Sequence, residues 1–278
     1  MRSIKRTGCY GVVAACAAVA PLVCSGATID TSDDRIAISL NGSTLPGTNG
    51  GGGGSVGWLH NFDADTLAGV AVEHQGISNA QWTFGSLNGA ITRGSGNARY
   101  SVFGELHEGS GRDGINPLPY HIEVLGLAGT YFRRLSVQLE DKEVDVEKTH
   151  GNLPKAGISY LWNPHLQTQV SYADSVNGNL GTQLTSGRID LFYPGLNSFV
   201  GVSHGRVSPS LVGLPGEAEG QVIPGQRLTE VYVGLTRTIA PLRGDLGLIA
   251  DYQDLSGSKR YKVTLNYIFH VGHHGQAR

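Results

Sequence analysis

The sequence predicts an all-β protein, an up-and-down antiparallel β-barrel of about fourteen strands with twelve as the nearest alternative. Three observations predict it. Glycine supplies 41 of 278 residues, a content that weakens helices at every occurrence and excludes a helical bundle or coiled coil. Apolar and polar residues alternate with a period of two through most of the chain, as in strands with two unlike faces. Tight turns alternate with longer connections, as in a meander whose strands run between two rims. With 40% hydrophobic residues, the chain is not a disordered one.

The first element is a leader. Arg2, Lys5 and Arg6 form a basic start, residues 11–23 are apolar, and Ser25, Gly26 and Ala27 are small residues preceding Thr28. That order describes a secretory signal peptide over residues 1–27, too short and wrongly flanked for a membrane helix. Cys9, Cys16 and Cys24, the three cysteines of the chain, all fall inside it, so the exported part is stabilised without disulfides. Loss of Arg2, Lys5 and Arg6 takes the formal charge from −2 to −5, which gives no footing for nucleic acid. Residues 28–271 are expected to form one barrel domain, and residues 272–278 a flexible tail.

Strands are expected near 35–41, 55–62, 66–75, 79–93, 97–108, 118–130, 132–147, 153–162, 166–175, 180–193, 196–206, 226–237, 243–255 and 259–271. Glycine interrupts the alternation in the third to sixth. The later strands alternate cleanly. Leu135, Val137 and Leu139 oppose Ser136, Gln138 and Glu140. Ala156, Ile158, Tyr160 and Trp162 oppose Lys155, Gly157 and Ser159; Ile189, Leu191 and Tyr193 oppose Arg188, Asp190 and Phe192. Val231, Val233 and Leu235 oppose Glu230, Tyr232 and Thr236. Leu246, Leu248 and Ala250 oppose Asp245, Gly247 and Asp251, and Tyr261, Val263, Leu265, Tyr267, Phe269 and Val271 oppose Lys262, Thr264, Asn266 and His270.

The connections after even-numbered strands are tight: Asp63-Ala64-Asp65, Ser95-Gly96, Gly129-Thr130, Asn163-Pro164, Pro194-Gly195 and the stretch around Pro241. Those after odd-numbered strands include longer loops at Asn41 to Gly54, Gly109 to Pro117, Lys148 to Asn152 and Val207 to Gln226. The first carries the glycine run Gly50 to Gly54, expected to be a flexible loop. An even strand number places both termini at the rim of tight turns, which in a bacterial outer-membrane barrel is the periplasmic one.

A soluble β-sandwich would bury the apolar face in a shared core, whereas a membrane barrel turns it to lipid and keeps a polar interior. Many segments run 10 to 14 residues, longer than the ~5 to 6 of globular strands and suited to crossing ~25 Å at a tilt. The opposite face is often Ser, Thr, Gln, Asn or Gly. Trp58, Trp162, Tyr193, Tyr267 and Phe269 sit near strand ends, where interfacial girdles lie. These features favour the membrane barrel.

The alternating segments, and above all the closing strand Tyr261 to Phe269, resemble bacterial outer-membrane β-barrel proteins. The resemblance extends to small porin-like barrels such as the YaiO-like family and those associated with exopolysaccharide export. It implies that Phe269 belongs to a strand-end signal read by the barrel-assembly machinery, with outer-membrane lipid and lipopolysaccharide as surroundings. Here the chain departs from the pattern by continuing from His270 to Arg278.

For chemistry, the interior offers Arg99, Glu105, Arg134, Glu140, Lys155, Arg188, Asp190, Glu230, Asp245, Asp251 and Lys262. Inward charges of both signs either line a passage or pair and hold it shut. The expected function is a narrow porin or passage for a polar solute or saccharide chain, with no cofactor, no metal and no catalysis. One alternative is a barrel enzyme acting on lipid or lipopolysaccharide with His107 and Ser110 as its pair; Ser203 and His204 form no recognisable signature. Another is a structural or adhesive outer-membrane protein. The tail histidines His270, His273 and His274 read as a mobile extension, and Asp30, Asp33 and Asp34 as a solvated acidic leader.

Overall fold

The structure is a computed structural model that describes residues 33–44, 50–63, 65–77, 80–95, 97–113, 116–146, 149–208, 225–256 and 258–272. The expected leader over residues 1–27, His273 and His274, and most of the expected loop Val207 to Gln226 lie outside the described residues.

Fifteen strands are laid out in chain order. They are β1 (Asp33–Thr44), β2 (Gly51–Asn61), β3 (Thr66–Ile77), β4 (Ala80–Ser95), β5 (Ala98–Asp113), β6 (Asn116–Tyr131), β7 (Leu135–Val146) and β8 (Thr149–Asn152). There follow β9 (Lys155–Asn163), β10 (Leu166–Asp174), β11 (Gln183–Tyr193), β12 (Leu196–Val207), β13 (Gln226–Ile239), β14 (Gly244–Leu255) and β15 (Ser258–Gly272). Chain neighbours pair antiparallel, except that β8 and β9 both pair with β7, and β1 pairs with β15 from Asp33↔Gly272 to Thr44↔Tyr261, which closes the sheet on itself. Closure removes both edges.

The strands β8 and β9 are one stave. Glu143 opposes Asn152 and Glu140 opposes Lys155, so a single register runs through both. Between them Leu153 and Lys142 still exchange N–H to carbonyl bonds at 2.7 and 3.3 Å. The break falls at Pro154, which has no N–H to give the ladder. The barrel therefore has fourteen staves, and the twelve-strand alternative is excluded.

Three expected loops are corrected. Gly51–Gly54 belong to β2, where Gly52 opposes Gly42 and Gly53 opposes Asn41. The stretch Gly109 to Pro117 is mostly strand, because β5 and β6 stay paired up to Asp113↔Asn116. Thr149–Asn152 likewise continue the β7 hairpin. The turn expected at Gly129-Thr130 lies at Phe132 to Arg134 instead, with Phe132 and Arg133 at φ of 51° and 56°. At another short turn the Asp65 N–H donates to Asp63 Oδ1 at 2.7 Å and holds the Asp63 carboxyl below its ordinary range.

The reason for the longer strands lies in their faces. Along β6 the outward residues Leu125 and Leu127 are 62% and 55% exposed, but the outward residues nearer the long-loop rim are Glu123 and His121. On β7 the outward Val137 and Leu139 give way to Asp141, Glu143 and Asp145. On β5 Tyr100 and Val102 give way to Glu108, Ser110 and Arg112. An apolar outer belt thus ends at one level. Sixteen residues in β4, β5 and β6, at ~3.3 Å each, overrun a band of ~25 Å, so these hairpins project beyond it.

Inside, the polarity runs the opposite way. At belt level the inward side chains are mainly polar or charged. In the projecting part they are Trp82, Phe84, Tyr120, Ile122, Val144 and Val146, all buried in one apolar cluster. Polar-out and apolar-in is the arrangement of a water-exposed β structure with its own core. Aromatic side chains mark the other boundary: Trp58, Tyr100, Phe132, Trp162, Tyr193 and Phe269 are exposed on the outer surface near the short-turn rim, as interfacial girdles are.

Candidate functional site

The interior at belt level is built by residues two apart on one strand, which share a face, and by their register partners on the next. Arg188 and Asp190 of β11 form the tightest unit. The guanidinium Nη2 and Nε donate to Asp190 Oδ1 at 2.5 and 2.9 Å, and both side chains are nearly fully buried. The same guanidinium lies 3.8 Å from the centre of the Phe199 ring of β12, a cation–π contact.

Glycines make room for rings on this wall. A Cβ at Gly234 would lie 2.1 Å from Phe199 Cζ, one at Gly201 2.1 Å from Tyr232 Cζ, and one at Gly126 2.1 Å from Phe103 Cζ. Each ring lies flat over a bare backbone instead of standing into the lumen.

Around the wall, Lys155 Nζ meets Glu140 Oε2 at 3.3 Å across β7 and β9. Gln253 Nε2 donates to Glu230 Oε1 at 2.9 Å and to Asp251 Oδ2 at 3.2 Å. Lys262 is the register partner of Asp251 and Arg260 that of Gln253. Near the short-turn rim Asp245 accepts from Thr238 Oγ1 at 2.7 Å and meets His270 Nε2 at 2.9 Å. There too Arg99 Nη2 reaches Asp65 Oδ1 at 2.8 Å. Glu105 meets His107 Nε2 at 3.2 Å.

Ten of the eleven charged residues named from parity lie on the inner face. Arg134 does not: it sits exposed in the turn before β7, because that turn falls later than expected and takes it out of the strand. Parity missed Glu73 and Arg260, both buried inside. Glu73 was legible, since it alternates with the exposed Val70 and Val72, but the surrounding glycines and alanines blurred the strand. Arg260 shares its parity with Lys262 and lay at an uncertain strand start.

The pair His107 and Ser110 is not brought together. His107 is buried inside, whereas Ser110 is exposed and on the opposite face of β5, so the sheet separates the two side chains. Ser203 and His204 are adjacent and therefore also face opposite ways. Ser203 is buried and accepts from Ser186 Oγ at 3.0 Å, while the exposed His204 meets Thr229 Oγ1 at 3.0 Å. Among the described residues no three His, Cys, Asp or Glu side chains gather as a metal-binding group.

No family model matches the chain, and no curated protein sequence does. Solved structures do match in fold. The CymD monoaromatic hydrocarbon channel aligns over 88% of this chain and 90% of its own with a TM-score of 0.57 at 10% identity. The Acinetobacter baumannii outer membrane protein Omp33 aligns over 87% and 100% with a TM-score of 0.51 at 11% identity. The KdgM porin aligns over 83% and 98% with a TM-score of 0.46 at 9% identity. The likeness to the first two, together with the closed register, gives the chain the antiparallel barrel fold found among outer-membrane channels.

Proposed function

We propose that this protein is an outer-membrane channel, a narrow porin whose interior passes a small polar solute or a saccharide chain. The observation that carries this reading is the ring of buried ionisable side chains inside a closed wall whose outer face is apolar. Charged groups are costly to bury, and a barrel that keeps a mutually paired set of them inside, behind an apolar outer face, has the polar interior of a channel. Leader 1–27 would export the chain, the barrel-assembly machinery would insert it, and its belt would face outer-membrane lipid and lipopolysaccharide. Fourteen staves lie between the filled eight-stranded barrel and the open bores of sixteen or more, which fits a small solute. An exopolysaccharide-export role is the form this reading takes for a saccharide chain. The lipid-hydrolysing alternative loses its support with the separation of His107 from Ser110.

One observation favours a second solute class. The aromatic residues Trp82, Phe84 and Tyr120 face inward near the long-loop rim, with the Phe84 and Tyr120 rings stacked at 4.4 Å. The name of the fold neighbour CymD, a monoaromatic hydrocarbon channel, points the same way. Liposome swelling with neutral sugars of increasing size, beside entry of small monoaromatic hydrocarbons, separates the two. Swelling with small sugars is expected; entry of the hydrocarbons without sugar entry would replace the polar-solute reading, and entry of neither would refute both.

A further inference from the structure

Between β10 and β11 the chain leaves the wall at Ser175 and returns at Thr182. The neck is closed by the Ser175 N–H on the Thr182 carbonyl at 2.7 Å and by the Thr182 N–H on Ser175 Oγ at 2.8 Å. The residues between do not stand away from the rim. They bend onto β8, where Asn152 and Val176 exchange two backbone bonds of 3.1 and 2.9 Å. The Asn179 N–H donates to the His150 carbonyl at 2.9 Å, and the His150 N–H donates to Asn179 Oδ1 at 2.8 Å. On the far side the Ser208 N–H donates to Thr182 Oγ1 at 3.1 Å.

The loop carries one large apolar side chain inward. Gly151 of β8 shares the inward parity of Thr149 and Leu153. A Cβ there would lie 2.4 Å from the Asn177 carbonyl oxygen and 3.1 Å from Leu180 Cδ1. The Asn177 backbone and Leu180 together therefore occupy the space that a side chain of the inner wall would take, and Leu180 is completely buried. It belongs to the same contiguous cluster as Val144, Val146, Leu153, Leu228 and Leu255, which line the upper inner wall from β7 to β14. None of these is more than 6% exposed, so water does not reach them. Gly178 and Gly181 flank the tip at φ of +69° and +55°, conformations that glycine adopts at little cost and leaves as easily.

A constriction that water does not wet stops ions and polar solutes even where its bore would admit them. Here an apolar seal lies at the long-loop mouth above a charged interior, and its central side chain rides on a loop held by a handful of backbone bonds. We propose that loop 176–181 is a lid whose Leu180 closes the barrel mouth as a hydrophobic gate. This rests on the channel reading given above, and its opening is the outward swing of the loop from β8.

The test is the gating of the full chain in planar bilayers, with Cys9, Cys16 and Cys24 replaced by Ser and folding checked by unboiled gel mobility. Leu180→Asp, which wets the seal, is expected to raise the open probability at least tenfold, and Leu180→Ala to raise it less. The double variant His150→Cys/Asn179→Cys is expected to stay closed when oxidised and, lacking the Asn179 side-chain bond, to open more often than the parent when reduced. Should Leu180→Asp fail to fold, the cysteine pair alone decides. Parent channels that conduct with the same open probability in every variant and redox state would overturn the lid while leaving the channel intact. Silence from every protein, including one lacking residues 176–181, would overturn the channel reading and the lid with it.

Discussion

The Arg188–Asp190 pair shows what a charged interior demands of single residues. Two opposite charges two positions apart on one strand satisfy each other along the wall, and the Phe199 ring covers the guanidinium from the next strand. Removing one partner leaves an uncompensated buried charge, which costs ~3–5 kcal/mol in a dry site. Arg188→Ala is therefore expected to destabilise the barrel by about 3 kcal/mol in denaturant unfolding from lipid vesicles, and a loss below ~0.5 kcal/mol, the level of an ordinary surface substitution, would show the pair to be solvated. At Gly201 the limiting quantity is space. Gly201→Val drives a side chain into the Tyr232 ring, an overpacking that costs roughly 1–3 kcal/mol. Adding Tyr232→Ala should recover most of that loss in a double-mutant cycle, because the two positions share one contact. The residue-scale site was legible to the extent that parity was: Glu140, Lys155, Arg188, Asp190 and Glu230 sit on strands with unbroken alternation and lie inside. Arg134 was misplaced because a shift of the turn by three residues removes a residue from its face. The glycines under Phe199 and Tyr232 gave no such signal, since a sequence shows that a glycine is present but not which ring needs it.

Single strands change character along their length, and this governs what could be read from them. On β6 the outer face runs from Leu127 and Leu125 to Glu123 and His121, while the inner face gains Ile122 and Tyr120. A strand that inverts its polarity halfway has no single apolar face, yet β6 and β7 were still legible as strands over 118–130 and 132–147. Gly109 to Pro117, Thr149 to Asn152 and the glycines of β2 read as connections because Gly and Pro interrupt the apolar alternation there, although the ladder runs through them. Strands β9 to β15 gave themselves away because their apolar faces persist for most of their length. The inversion makes a direct prediction. Leu127→Arg places a charge in the belt and is expected to cost ~2–4 kcal/mol, the value for a charge near the bilayer midplane. Glu123→Arg, four residues along the same outer face, is expected to cost less than ~1 kcal/mol, as near an interface. Equal costs in folding titrations into vesicles would place the belt edge elsewhere.

For the molecule as a whole, the order of strands was the most legible feature, because each antiparallel neighbour follows directly in sequence and short turns leave no other pairing. Closure was expected from the long strands, their polar opposite face and the strand-end aromatics, and the register Asp33↔Gly272 brings both described ends to the short-turn rim. The solute was not legible, since a lumen's selectivity depends on side chains from nonadjacent strands meeting at one depth. A closed wall with an apolar belt outside and ionisable groups inside predicts a protein that crosses the bilayer and carries current. The measurement that tests this most directly is planar-bilayer recording of the refolded chain beside the chain lacking residues 176–181. Discrete small steps that become more frequent or longer on removal of the loop are the expected result. A folded protein, resistant to unboiled detergent, that leaves the bilayer silent in both forms would contradict the account.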